Sequence, residues 1–219
     1  SEANNKASTT ITVNGSTKPN ITTSYKDIII APVHAKEKGN VGISVLVKNE
    51  GFSAASNITV NFYRGVPNAG GILLGSRVIS LLNPGEGSRV AMDWLNIAES
   101  GERVIYIHVD PDNQVEEVSE SDNDAFTALS ILSLPDLTLS ANSISFSPAF
   151  PKDGDKVGIN ATIQNKGEQS AGNVVVRAFE GTALIGSQVI PAVDGVSEVT
   201  ASFAYDTTGK KGTHEITIT

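Results

Sequence analysis

The 219-residue chain contains no cysteine, one methionine, one tryptophan, seven phenylalanines and four tyrosines. Without cysteine no disulfide can staple the fold, and thiolate zinc sites and thiol nucleophiles are excluded. The compartment stays open, because many secreted microbial β-domains also lack cysteine. Positive charge is scarce as well: 16 Lys and Arg stand against 24 Asp and Glu, a formal net charge of −8. No basic patch offers a footing on nucleic acid. No apolar run approaches the roughly 20 residues that a spanning helix needs. The first residues lack the charged-then-apolar pattern of an export signal, so any such signal is expected outside this stretch.

What is present is strand-and-turn composition, rich in Gly, Ser, Thr, Asn and β-branched residues. It is organised by a repeat. Residues 41–65 recur as 157–181 at a constant offset of 116, with identity at positions 41, 42, 43, 49, 51, 55, 57, 60 and 65. A repeat of this length fixes the architecture before any local motif. Each copy alternates apolar and polar residues: Val41, Ile43, Val45 and Val47 in one, Val157, Ile159, Ala161 and Ile163 in the other. That is the period of a half-buried strand. Asn49-Glu50-Gly51 and Asn165-Lys166-Gly167 follow as turns, expected to use residues that tolerate positive φ.

Further strands are predicted around Ile28 and Ile30, Ile58 to Phe62, Leu73 to Ile79, Val90 to Trp94, Val104 to Val109 and Ala125 to Leu132. Each has a counterpart in the second copy as far as Ile218, where residues 66–71 are shortened by five. Trp94 aligns with Phe203, across turns 83–87 and 193–195, and is expected in the core. Seven short strands per copy of about 110 residues predict an all-β chain of two tandem immunoglobulin-like seven-stranded β-sandwich modules, the second truncated. The modules are placed at 19–133 and 134–219. Residues 1–18 read as the tail strand of a preceding repeat or as a linker, since 2–11 match 120–129 at an offset of 118. The chain thus reads as a window on a longer array, with a short connector at 134–136 that limits bending. Residues 7–13 are expected to pair with the second module, in cis or from a neighbouring molecule, giving a strand-exchanged dimer.

The acidity is local. Residues 110–124 hold seven acids and no Lys or Arg, and without them the formal −8 becomes −1. The run from Val109-Asp110-Pro111 through Asn113, Val115 and Glu116 to Asp122-Asn123, together with the Asn-x-Gly turns, resembles the signature of the CARDB family. These are cell-adhesion-related domains of bacterial and archaeal surface proteins. The resemblance covers 19–133 and, as a shortened copy, 134–219. It implies a seven-stranded sandwich, tandem repetition and a cell-surface or secreted setting, and it brings no catalytic residues.

Two readings of the acidic run stand. Asp110, Asp112, Asn113, Glu116, Glu120 and Asp122 supply the oxygen-rich set that a hard cation such as Ca2+ prefers. Alternatively the run is a solvated acidic turn, with Asp110-Pro111-Asp112-Asn113 as a β-turn. The EF-hand spacing fails, since position twelve falls on Ser121 or Asn123 and position six is not Gly. His34, His108 and His214 belong to no zinc pattern, and no G-x-S-x-G nucleophile setting occurs. Four N-x-S/T patterns, at Asn14, Asn20, Asn57 and Asn160, are what chance gives in so polar a chain. The expected function is therefore a non-enzymatic adhesion or spacer module, extracellular or on the cell surface, with no cofactor unless Ca2+ binds. Its partners are other modules of the same chain and an extracellular protein or glycan, with no nucleic acid and no membrane span. The alternative is a carbohydrate-binding or positioning region of a secreted hydrolase, which an exposed row of aromatics on one sheet would favour.

Overall fold

A computed structural model describes residues 6–11, 15 and 17–219. The chain divides into two compact units. In the first module the strands are β1 (Ile21–Thr22), β2 (Ile28–Ala31), β3 (Ala35–Lys36), β4 (Val41–Asn49), β5 (Ala55–Arg64), β6 (Ile72–Leu82), β7 (Gly87–Trp94), β8 (Gly101–Val109) and β9 (Asp124–Leu132). The second module holds β10 (Leu137–Thr138), β11 (Ile144–Ser147), β12 (Lys156–Asn165), β13 (Ala171–Glu180), β14 (Ala183–Val193), β15 (Ser197–Asp206) and β16 (Ile216–Ile218). The first module's seven predicted strands are all present, joined by the two-residue pieces β1 and β3. Residues 6–11 lie in no strand and are exposed, so the expected tail strand does not form there. Residues 12 and 13 lie outside the described residues.

In the first module β4 pairs β1 and β2 on one side and β7 on the other. The facing sheet runs β3-β9-β8-β5-β6. Alternation carries one side chain in two inward. On β4 it buries Val41, Ile43, Val45 and Val47; on the facing sheet it buries Ile58, Val60, Phe62, Ile105, Ile107 and Val109, each no more than 1% exposed. Interdigitation of two such faces makes the sandwich core. In the second module β12 pairs β10 and β11 on one side and β15 on the other, and β13 lies between β14 and β16. Its core gathers Val157, Ile159, Ile163, Val176, Ile190, Phe203 and Tyr205. Both modules slip register at the same aligned place, between Phe62 and Tyr63 and between Ala178 and Phe179.

Pairing register corrects one alignment. Trp94 lies opposite Val41 and Tyr205 opposite Val157, so Trp94 corresponds to Tyr205 and Met92 to Phe203. The turn after β6 has the same length in both modules; reading the second as Val193-Asp194-Gly195 made it too short by two. Trp94 is half-buried where Tyr205 is buried, and Met92 takes the core position.

The two Asn-x-Gly turns also differ from expectation. Neither Gly51 nor Gly167 has positive φ. Glycine is required because a Cβ on Gly51 would stand 2.3 Å from Asn20 N, and one on Gly167 1.9 Å from Leu134 O. The left-handed backbone occurs instead at Asn57 and Asn173, φ 57 and 53, a residue type that tolerates it. The identity of those two positions in the repeat thereby has a conformational cause.

Candidate functional site

The turns are built around the asparagines. Asn49 is fully buried; its Oδ1 accepts from Asn20 N (3.2 Å) and Gly51 N (3.0 Å), while Nδ2 donates to Ser53 O (2.8 Å) and Leu82 O (2.9 Å). Asn165 repeats this with Asp136 N (3.0 Å), Gly167 N (3.1 Å), Gln169 O (2.8 Å) and Val193 O (3.1 Å). Asn165 Nδ2 donates to Asp194 O as well (3.1 Å), so one amide satisfies four or five backbone groups where three segments meet, which buried polar atoms require.

The acidic run follows β8 and is sewn to the segment before β1. Asp110, 2% exposed with φ 47, takes Val115 N on Oδ2 (2.8 Å) and Gln114 N on Oδ1 (3.2 Å). Its carbonyl accepts from Asn113 N (3.0 Å), closing the β-turn Asp110 to Asn113. Asp112 and Asn113 are exposed. Glu116 points outward to Lys18 (2.6 Å), whose hydrogen bond and charge hold its carboxyl below the usual range. Glu120 accepts from Glu117 N (3.2 Å) and Asn123 Nδ2 (3.4 Å), and Asp122 Oδ2 from Asn20 Nδ2 (3.0 Å). Asn20 Oδ1 accepts in turn from Ser119 N (2.9 Å). The six residues expected to ligate a cation are therefore divided between a turn, an outward ion pair and a hydrogen-bonded knot. Among the described residues no three His, Asp or Glu side chains gather as a metal site would.

The residue that the sequence reading left out is Glu117. It is 6% exposed, and its carboxylate accepts from Ile21 N and from Asn123 Nδ2 (3.1 Å). Burial pushes its carboxyl up to about 7; the two donors oppose the shift, and the charges of Glu120 and Asp110 add to it. Two buried oxygens of the same run, Asp122 Oδ1 and Asn123 Oδ1, have no hydrogen-bond partner among the described residues. Only its place in the acidic run hinted at burial, since Glu116 next to it has the same chemistry and faces water.

On the outer face of the β5–β6–β8–β9 sheet, residues alternating with the core stand together. Asn61 and Tyr63 on β5, Tyr106 and His108 on β8, and Asp124 and Phe126 at the start of β9 share this side. Asp124 is held by His108 Nδ1 (2.5 Å) and by the Tyr106 hydroxyl. Burial and that carboxylate push the Tyr106 phenol up to about 12. Ser76 Oγ donates to Asn61 Oδ1 (2.6 Å), and Asn61 Nδ2 to Tyr63 Oη (3.1 Å). The Tyr106 and Phe126 rings lie within 5° of parallel, their centroids 6.1 Å apart. Most of these side chains line a depression of about 540 Å3, walled on one side by Val66, Pro67 and Asn68.

The second module carries a different cluster. Glu180 Oε1 accepts from the Tyr205 hydroxyl (2.7 Å) and lies 2.6 Å from His214 Nδ1, while Oε2 pairs with Lys210. The Lys210 ammonium sits 4.7 Å over the Tyr205 ring. Hydrogen bonds from Lys210 and Tyr205 hold the Glu180 carboxyl down at about 2. A cavity of about 350 Å3 lies beside this cluster. Carboxylate, phenol, ammonium and imidazole here satisfy one another.

The CARDB family model matches residues 18–127 and again 134–219. A search of curated proteins gives no match. Among solved structures the chain is similar to a CARDB domain of Pyrococcus furiosus crystallised in complex with di-metal ions. That pair is 25% identical over 55% of this chain and 99% of the other, with a TM-score of 0.47. A domain of a putative cell surface protein from Methanosarcina acetivorans is 18% identical over 52% and 93%, TM-score 0.43. A β-glucosidase from Erythrobacter marinus is 19% identical over 52% of this chain but 15% of the enzyme, TM-score 0.39.

Proposed function

Because the chain belongs to the CARDB family over both of its modules, we propose that it is a non-enzymatic part of a cell-surface or secreted protein, serving adhesion and acting as a spacer outside the cell. The observation that supports this reading most is how the polar groups of the acidic segment are used. Asp110, Glu117, Glu120, Asp122 and Asn20 accept from or donate to backbone and to one another, fastening a loop of 14 residues between β8 and β9. A loop fastened in this way gives a module that keeps its shape under load and presents side chains on a fixed surface. Its partner is an extracellular protein or a glycan.

Two measurements test this. Beads coated with the chain are expected to be retained on immobilised prokaryotic cell envelopes, and beads carrying heat-denatured chain are not. Single-molecule stretching is expected to give two separate unfolding events, one per module. Absence of retention together with gradual, featureless extension would overturn the proposal. The second reading, a carbohydrate-binding region of a secreted hydrolase, has one observation in its favour: Tyr63, Tyr106 and Phe126 share one outer sheet face.

A further inference from the structure

Saccharides present two chemistries at once, an apolar C–H face and a rim of hydroxyls that each donate and accept. A site for them needs a rigid aromatic surface beside fixed polar groups of both kinds. The outer face of β5, β6, β8 and β9 meets both needs. Phe126 is 61% exposed and lies parallel to Tyr106, so the pair forms one aromatic patch rather than two scattered rings. Around it stand an acceptor carboxylate, Asp124, a ring nitrogen pair on His108, and amide and hydroxyl groups on Asn61 and Ser76. These groups are already oriented by one another, so a ligand need not order them on binding.

Three further observations point the same way. The wall formed by Val66, Pro67 and Asn68 belongs to the loop that the second module shortens by five residues. The second module also places Val175, Arg177 and Thr217 where the first has Thr59, Asn61 and Tyr106, so the polar array is particular to one module. Finally, Asp124 and Phe126 line a second depression of about 510 Å3, shared with Ser24 and Tyr25, a tyrosine 64% exposed. The aromatic patch is thus a ridge with a hollow on either side, which suits several linked sugar units better than one.

We propose that this face of the first module binds a neutral oligosaccharide, with a sugar ring laid against Phe126 and Tyr106 and its hydroxyls bonded by Asp124, His108 and Asn61. Neutral is specified because the carboxylates on this face outnumber its cations: Asp112 and Asp124, the latter bonded to His108, line the 540 Å3 depression, and among the described residues no Lys or Arg lines it. The inference rests on the adhesion reading only for its biological setting.

The experiment is affinity electrophoresis of the whole chain through native gels containing xylan, mannan or hydroxyethyl cellulose. Retardation is expected on at least one gel. Phe126→Ala and Asp124→Asn are each expected to weaken it at least tenfold. Phe179→Ala, on β13 of the second module where β5 of the first has Tyr63, is expected to leave it unchanged. Thermal melts of each variant confirm that fold is kept. No retardation on any gel overturns the proposal, as does retardation that both Phe126→Ala and Asp124→Asn leave intact. Either result can occur while beads are still retained on cell envelopes, in which case adhesion stands and its partner is not a sugar held here.

Discussion

The two modules share the frame of their inside, with Phe62 replaced by Ala178 and Met92 by Phe203, and differ more outside. Val41, Ile43, Asn49 and Val60 recur unchanged as Val157, Ile159, Asn165 and Val176, all buried and all in matching registers. Outside, the polar and aromatic face of the first module gives way to Val175, Arg177 and Thr217, and the Glu180 cluster occupies positions held by Arg64, Trp94, Glu99 and Arg103. Glu180 and Lys210 thus stand with their charges reversed relative to Arg64 and Glu99. What persists is whatever a close-packed core and buried backbone groups require. What varies is exposed, where a substitution costs little stability and can change what is bound. The sugar-binding inference is an instance of this division, since of the polar side chains it sets around the aromatic pair only Ser76 recurs, as Ser187.

The most severe test of the shared interior is Asn49→Ala against Asn165→Ala. Each removes a buried amide, serving four backbone groups at Asn49 and five at Asn165, and leaving those groups unpaired costs about 3 kcal/mol or more. The losses are expected to be alike and confined to the mutated module. Trp94, the single tryptophan, lies in the first module, so its fluorescence follows that module in urea while circular dichroism follows both. A large loss at Asn49 with little change at Asn165 would break the equivalence.

A smaller effect separates the modules by pH. Glu117 titrates near 7 in the folded protein, above the ordinary 4.5, so the folded state keeps a proton that the unfolded chain has released. Its contribution is fully present below the unfolded value and is lost as pH rises through 7. Lowering pH from 8 to 5 is therefore expected to stabilise the first module by on the order of 1–3 kcal/mol. Glu117→Gln should abolish that slope. Urea midpoints of Trp94 fluorescence at several pH values decide it, and a slope unchanged in Glu117→Gln overturns the assignment.

Much of this was legible because it is periodic. Alternation gave the strands and the repeat gave two modules, since burial of every second side chain leaves a mark in any sequence. The aromatic face was not visible, because Tyr63, Tyr106 and Phe126 come from three strands whose adjacency is fixed only by pairing. The roles of Asp110 and Glu117 were hidden for a related reason. A carboxylate that caps a turn or takes a distant N–H looks in sequence like one facing water or a cation. Gly51 and Gly167 were identified as special, but as left-handed residues; the true cause, a backbone passing close by, is a tertiary contact that no local pattern records. Register across β4 and β12 likewise moved Trp94 by two positions, because a turn's length is uncertain until its strands are paired.

The corrected turn yields the smallest effect and the sharpest comparison. With equal turn lengths, Gly85 of the first module matches Val196 of the second, and both have left-handed backbone, φ 77 and 53. Glycine adopts this region freely, whereas a β-branched side chain is crowded there, at a cost of roughly 1–2 kcal/mol. Val196 is 75% exposed, so its side chain regains little by packing. Val196→Gly is therefore expected to stabilise the second module by about 0.5–1 kcal/mol, the extra freedom of glycine in the unfolded chain taking back part of the relief. Gly85→Val should destabilise the first module, lowering its Trp94 fluorescence midpoint. Differential scanning calorimetry of both variants checks the pair. Opposite shifts place the two turns in one conformation; a loss of stability in Val196→Gly would mean that valine is favoured there and that the turns are not equivalent.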